Sequence, residues 1–572
     1  MGLNSTVLRR LAVLLVSLLA SLLAPAQTPA WQPVSFPVQL ANSSSKIAVT
    51  ATDAAGNVYV AGGFYGTLRF GSTTLVNADP QYRDDIFVAK WTPTGGYVWA
   101  QQASGASSEL VSTITAYGGS VYVSGTFLSP TLTIGSTVLP GGGATSFLAK
   151  FTDAGALQWA ESTGGATCSG LAVSSAGVYV AGSFSGRVVL GSTMLDAVSG
   201  AGDAYVAKLT ESGATHQFVW AVRGGGNYTD GLEDVAVSGN KVYAVGTFSS
   251  PTVSFGSLTL SNTGGFSDTG DMYVLKLQDN GNSASFVWAV RGGGTGIDGA
   301  SNLVLAGTNV YVTGLFESAT ATFGTSTLQK APSTAPPGYY IYDVFLAKLV
   351  DAGSSGSFAW AQRLGGPGDD RVTGLAGSGS RVYVAGTFRG TASFGSTTLT
   401  GDPTYNDMFM TQLTDGGASS SFDWVQQAGG VGDDVAGSIA LAGSSLYLGG
   451  WTSGAATFGT YTMPGPSCCS AQAFLTALAG GVLGTKAARQ PELSVFPNPV
   501  RGSVQVQLPV GAPRTGLRYV LVDAAGRTLL SRSWPGTADR ATVALGLLPK
   551  GLYLLRMEGP GGYFASRRLV AE

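Results

Sequence analysis

Five acidic residues recur at one place in a repeating sequence. Glu109, Asp230, Asp298, Asp370 and Asp434 each stand thirteen residues before a tyrosine of a repeated Val-Tyr-Val-like motif. Carboxylates gathered at one mouth of a closed structure can hold a cation such as Ca2+ through oxygen ligands, or accept hydrogen bonds from sugar hydroxyls. The same residue type has a structural use. An aspartate after a glycine-rich loop accepts backbone N–H groups and shapes the entry into a strand. Glycoside hydrolysis needs two non-equivalent carboxyls at a set separation, so an acid repeated in most units points to structure before catalysis.

The other candidates are fewer. Asp85, Asp203, Asp271, Asp343 and Asp407 form a second acidic series, most with a lysine five residues on, as in Asp203 and Lys208. These read as strand-end caps and rim charges. The one histidine, His216, lies in the turn "ESGATHQF" and lacks counterparts in the sister turns, so it reads as a solvated loop residue. No Gly-x-Ser-x-Gly elbow, phosphate loop or Cys-x-x-Cys pair occurs, and no catalytic residue or metal ligand is assigned. The insertion "QKAPSTAPPGYYIYD", from Gln329 to Asp343, reads as an exposed loop whose Tyr339, Tyr340 and Tyr342 can grip a ligand.

The elements that must position these residues follow from the repeat. Its tyrosine stands at 59, 122, 179, 243, 311, 383 and 447, in steps of 57 to 72 residues. Three residues on comes a glycine (Gly62, Gly125, Gly182, Gly246, Gly314, Gly386, Gly450), then an "FGS"-like turn, then an aromatic strand such as "DAYVAK". A polar turn such as "TDAG", read as a hairpin with glycine at positive φ, leads to a strand ending in tryptophan. The periodicity is that of strands, and a period of this length with four strands per unit predicts propeller blades. Six units close with Trp99, Trp159, Trp220, Trp288, Trp360 and Trp424; the seventh has none, while "WQPVSF" begins at Trp31. The N-terminal strand is therefore expected to bring the missing tryptophan to the last unit and close a seven-bladed ring.

"LAVSSAGVYVAGSF" and "DAYVAKL" resemble the SBBP-type β-propeller repeat, over about residues 31 to 480. That resemblance implies a propeller in exported bacterial proteins, without a shared activity.

Both termini carry addresses. Arg9 and Arg10 precede an apolar run from Leu11 to Leu23 and the small residues of Ala24–Ala26, the pattern of a signal peptide over 1–26. No further run is long enough for a membrane span. The propeller is expected over 27–480 and a linker over 481–490. From 491 to 572, five or six short strands suit a small Ig-like β-sandwich. This segment resembles the C-terminal sorting domain of the type IX secretion system, through Pro497, Asn498, Pro499, the turn Asp523 to Gly526, Gly551, Tyr553, Arg567 and Arg568. The resemblance implies export by that machinery to the cell surface or medium.

Residues 27–490 hold 19 Lys and Arg against 28 Asp and Glu, with no basic stripe, which argues against nucleic-acid binding. Three cysteines, Cys168, Cys468 and Cys469, make no disulfide framework for a chain of 572 residues, although a bridge from Cys168 to either neighbour is open. The sequence thus predicts an all-β secreted or surface protein that binds a glycan or protein at channel-mouth loops without turnover. The alternatives are an extracellular polysaccharide-degrading enzyme using acids of the same face, or a structural surface component.

Overall fold

The computed structural model describes residues 29–571, apart from 41, 78, 94–95, 214, 266–267, 334–340, 467–469, 480–492, 509–515, 524–527, 536–537, 539, 547 and 559–563. The signal-peptide and linker expectations, Tyr339, Tyr340, Cys468, Cys469 and Gly526 lie outside the described residues. Every regular element within them is a β-strand, and no helix is long and apolar enough to cross a membrane. The chain divides into two compact units, Met1–Val482 and Leu483–Glu572.

In the first, each repeat folds into four antiparallel strands. The fourth repeat is representative: Asp230–Ser238, Lys241–Phe248, Asp271–Asp279 and Ala284–Gly292 pair in chain order. A side hairpin, Thr252–Phe255 with Leu258–Ser261, carries the "FGS" turn. The alternation of valine and aromatic residues in these strands fits a pleated surface buried on both faces. Consecutive repeats share one core: Tyr243, Val245 and Trp288 pack against Leu303, Val312 and Phe345 of the next repeat. Phe323 meets Phe345 at 4.7 Å and Phe358 at 5.5 Å between centroids, which locks the side hairpin onto its own repeat.

The seventh repeat contributes Asp434–Ala442, Ser445–Thr452 and Gln472–Ala479, and its outermost strand is Ala30–Trp31. Ala30 pairs with Ala479, Trp31 with Leu478, and Ser35 bridges Leu475. One detail differs from expectation. In the other repeats the closing tryptophan pairs with the third-strand Lys or Gln, as Trp220 does with Lys208, and Phe218 pairs with Leu209. Trp31 faces Leu478, the Leu209 position, so it replaces Phe218 rather than the tryptophan. It meets Phe458 at 5.5 Å, as Phe286 meets Phe255 at 5.7 Å. Between the Trp31 and Ser35 pairings Gln32 N donates to the Ala477 carbonyl at 2.8 Å, so Gln32 and Pro33 pass where the tryptophan stands in the other repeats.

The motif glycine explains the first strand. A Cβ on Gly246 would lie 1.9 Å from the Gly231 carbonyl oxygen, and on Gly62 only 1.8 Å from that of Lys46. The first strand crosses so closely because it carries a β-bulge there: Leu232 pairs with Gly246 and Asp234 with Val245, leaving Glu233 unpaired. The same irregularity leaves out Ala48, Ser112, Ser301, Thr373 and Gly437 in five other first strands.

The second unit is a six-stranded arrangement in the order Thr528–Ser533, Arg518–Asp523, Gly551–Glu558, Phe564–Ala571, Ser494–Gln507, Arg540–Gly546. Ser494–Gln507 serves two neighbours: Val500 pairs in parallel with Ala571, and Gly502–Gln507 runs antiparallel to Arg540–Gly546. Leu493, Val504, Leu521, Trp534, Leu555 and Leu569 form its core.

Candidate functional site

The first strands enclose a cavity of about 820 Å³ to which all seven repeats contribute. Thr50 N donates to Ser438 Oγ at 2.7 Å, and Thr52 Oγ1 to the Leu441 carbonyl at 2.8 Å, so the seventh first strand is joined to the first one. The bulge residues Ala48, Ser112, Glu233, Ser301, Thr373 and Gly437 all line this cavity, with Ser169 from the third repeat. Six of these seven positions are small or hydroxylated. The fourth repeat breaks the pattern with Glu233 and Asp234, and these are the charged residues of the lining.

The two acids differ in environment. Asp234 accepts N–H bonds from Val235 and from Leu303 of the next repeat, both at 2.8 Å, yet burial pushes its carboxyl up to about 7. Glu233 is open to the cavity, and the surrounding protein still removes enough water to raise its carboxyl. A hydroxyl-lined space with one acidic side can accept hydrogen bonds from a polyol or pair with a cationic group. Sequence reasoning passed over Glu233 and Asp234 because it looked for acids that recur. The signal was present: at the bulge position, ten residues before the tyrosine in most repeats, one copy alone carries an acid.

The recurring acids lie elsewhere. Glu109, Asp230, Asp298, Asp370 and Asp434 are all 0% exposed and none lines the cavity. Four of them staple a glycine-rich turn, and Glu109 is held by a serine hydroxyl. Asp298 accepts the N–H groups of Gly294 (2.5 Å), Glu317 (3.1 Å) and Ser318 (3.2 Å) and the Ser318 hydroxyl (2.6 Å). Asp370 and Asp434 accept Gly366 N and Gly430 N at 2.6 Å, Asp230 holds Ser250 Oγ at 2.8 Å, and Glu109 binds the Ser129 hydroxyl. The turn-shaping use thus accounts for their surroundings, and a ligand at the surface does not reach them.

The second series sits against the first. A Cβ on Gly293 would lie 2.2 Å from Asp271 Oδ1 and 3.0 Å from Asp298 Oδ2; on Gly429, 1.9 Å from Asp407 Oδ1 and 3.2 Å from Asp434 Oδ2. Asp203, Asp271 and Asp343 are fully buried, and Asp85 and Asp407 nearly so; none is a rim charge. Arg223, Arg291 and Arg363 reach the Oδ2 atoms of Asp203, Asp271 and Asp343 at 3.1 to 3.2 Å, while the Oδ1 atoms of those three have no donor. Burial raises every member of these pairs, Glu109 to about 7, Asp230 to about 6, Asp370 to about 8 and Asp434 to about 7, with the neighbouring acid adding to the effect. Two buried acceptors side by side are relieved when one takes a proton and donates to the other.

The lysines five residues on are not rim charges either. Lys208 and Lys276 reach Asp279 and Asp351 of the next repeat at 2.7 Å with side chains 5% and 3% exposed. His216 stacks on Trp159 at 4.3 Å, with Nε2 3.2 Å from Glu161, so it is a packed residue rather than a solvated one. Tyr342 lies under the Arg371 guanidinium, 4.5 Å from its ring centroid, and its carbonyl accepts Asp370 N. Cys168 is a free buried thiol whose Sγ lies 3.5 Å from Thr163 Oγ1.

In the second unit, Asn498 Oδ1 accepts Val570 N at 2.8 Å, Tyr553 Oη donates to the Pro549 carbonyl at 2.8 Å, and Asp523 pairs with Tyr553. Gly551 pairs with Ala571, and Arg567 with Leu555 in the terminal hairpin. These contacts tie the motif residues to the last strand.

Among solved structures the chain is similar to a protein of unknown function from Dyadobacter fermentans DSM 18053, at 9% identity and a TM-score of 0.36, over 79% of this chain and 100% of that one. It is also similar to phage phi92 endosialidase, at 10% identity and a TM-score of 0.35, over 95% and 88%. A Trypanosoma rangeli sialidase in complex with sialic acid matches at 9% identity and a TM-score of 0.30, over 95% and 88%. No curated protein matches. Residues 494–572 match the model of the secretion system C-terminal sorting domain, so the chain carries a type IX sorting tail, engages that machinery, and is a secreted or cell-surface protein.

Proposed function

We propose that the chain is a seven-bladed propeller of SBBP-type repeats over residues 27–480, closed by its N-terminal strand and preceded by a signal peptide. In this reading it is a non-catalytic binding module that takes a glycan or a polar protein segment in the central channel. One observation carries it: the ring of six bulge positions and Ser169 is small or hydroxylated in six repeats and acidic in one. A symmetric scaffold has no structural need for that departure, whereas a ligand with a preferred orientation does. The alternating strand pairings and the Ala30–Trp31 strand on the last repeat support the closed ring.

The enzyme alternative draws on the contrast within the acidic pair, since one buried carboxyl near neutrality beside a second acid is the pattern of a general acid and its partner. A glycan array probed with the mature chain, with and without calcium, tests the binding reading. Retention of a hit by wild type and its loss in Glu233→Gln supports it. Depolymerisation of a bound polysaccharide would favour the enzyme, and no retention of any glycan would leave a protein contact or a structural role.

A further inference from the structure

One cluster recurs at five junctions between repeats. Tyr179 Oη, Lys208 Nζ and Trp220 Nε1 all donate to the carboxylate of Asp279 in the next repeat, at 2.6, 2.7 and 3.1 Å. Tyr243, Lys276 and Trp288 do the same to Asp351, and Tyr311, Lys348 and Trp360 to Asp415. Glu211 serves Tyr122, Lys150 and Trp159, and Asp153 serves Tyr59, Lys90 and, through its carbonyl, Trp99.

The junction between the seventh repeat and the first fills these positions differently. Ala477 replaces the lysine, and Gln32, whose N–H reaches the Ala477 carbonyl, passes with Pro33 through the place of the tryptophan. Pro93, six residues after Phe87, occupies the position of the acid. Tyr447 is kept. Where the cluster should be there is a cavity of about 320 Å³, lined by Pro33, Trp91, Pro93, Tyr447, Leu475 and Ala477 among others, none of them charged. The Trp91 ring lies 5.8 Å from that of Tyr447, and its buried Nε1–H has no partner.

We propose that this seam is a second binding site, for a neutral pyranose ring. Hydroxyls of the sugar exchange hydrogen bonds with Ser445 and Thr476, polar side chains of the lining, while the Trp91 N–H is sealed from the cavity and takes no part. Trp91 and Tyr447, set at 64° to each other, form a corner that covers one apolar face and one edge of the ring, and the prolines complete a wall that costs little entropy to order. A charged sugar would lose its hydration with no counter-charge in return. The volume falls at the small end of ligand sites, enough for one or two sugar units. The site rests on the seam cavity and its uncharged lining and is independent of the channel reading.

The test uses the full mature chain labelled with 15N on tryptophan indoles, the Trp91 cross-peak being assigned by its loss in Trp91→Phe. Methyl glucoside, galactoside, mannoside and xyloside are titrated, with glucuronic acid and glucosamine as charged counterparts. The expected result is a saturable shift of the Trp91 peak with at least one neutral glycoside. Charged sugars, and the Trp91→Phe variant measured by calorimetry, should bind about tenfold more weakly. Pro33→Trp, which returns a tryptophan to this stretch, should abolish binding; Ala477→Leu fills the cavity from the third strand should the first variant fail to fold. A Trp91 peak unmoved by every neutral glycoside up to about 100 mM overturns the proposal. So does a shift that survives the filled cavity, or equal binding of charged sugars.

Discussion

Replacing Asp279 with asparagine removes one charge from a cluster that four side chains share. The Lys208 and Asp279 side chains are 5% and 3% exposed, and the carboxylate also accepts from Tyr179 and Trp220. Burial alone would raise the Asp279 carboxyl, but the bonds from Lys208 and Tyr179 outweigh it and hold it below its ordinary value. In Asp279→Asn the Lys208 ammonium stays buried with no counter-charge, which costs about 3–5 kcal/mol. The exposed pair Arg187–Asp196, with side chains 63% and 52% exposed, is a control whose disruption should leave stability nearly unchanged, because solvent screens it. The sixth repeat shows what relieves the problem: Gln412 stands in place of the lysine, and Trp424 Nε1 donates to it at 3.2 Å. The double variant Lys208→Gln, Asp279→Asn should therefore recover at least about 2 kcal/mol of the single-variant loss. Urea denaturation followed by tryptophan fluorescence measures all four proteins. Were Asp279→Asn no worse than Asp196→Asn, or the double variant no better than the single, the buried cluster would not hold neighbouring repeats together.

Three further outcomes follow from the same geometry. The paired junction acids have raised carboxyls in the folded state, so their stabilisation is full below about pH 4 and declines as pH rises through about 6 to 8, whereas that from Asp279 is lost only below about pH 4. Thermal midpoints should thus be higher at pH 5 than at pH 8, and the difference should shrink in Asp370→Asn; a midpoint that rises toward pH 8 would contradict the shared proton. Gly246→Ala puts a methyl 1.9 Å from the Gly231 carbonyl oxygen and should cost more than about 3 kcal/mol or abolish soluble expression, while Gly239→Ala, with open space around it, should cost about 1 kcal/mol for its φ of +62°. Deleting residues 494–572 should leave the chain inside the outer membrane of a type IX-competent host, as read by protease access to intact cells; normal surface display of the deletion would refute the role of the tail.

The strand inventory was legible because the repeat writes it seven times; the motif glycine was legible only as a landmark, since the carbonyl that excludes its Cβ sits at a bulge in the first strand. The register of the N-terminal strand was not. "WQPVSF" offers one tryptophan, and spacing alone cannot distinguish it from a stand-in for Phe218, since a bulge between Phe218 and Trp220 shifts the pairing by one residue. The buried lysines were misread for a related reason. Lys208 alternates with apolar residues as a rim charge would, and its partner lies 71 residues away in the next repeat. The turn "QDNG" carried the clue, because its acid appears in five repeats and is replaced by Pro93 and Gly480 in the two whose preceding repeats lack the lysine. In the channel, repetition drew attention to stapling acids and away from Glu233, whose meaning lies in being different from its counterparts.

A structure of the mature chain with its best array glycan tests the channel reading most directly. The account predicts ligand density along the first strands, with sugar hydroxyls within hydrogen-bond distance of Glu233 and of Ser301 or Ser112, and no density in Glu233→Gln soaked identically. A ligand bound on the outer loops, with Glu233 untouched and its variant binding equally well, would contradict it.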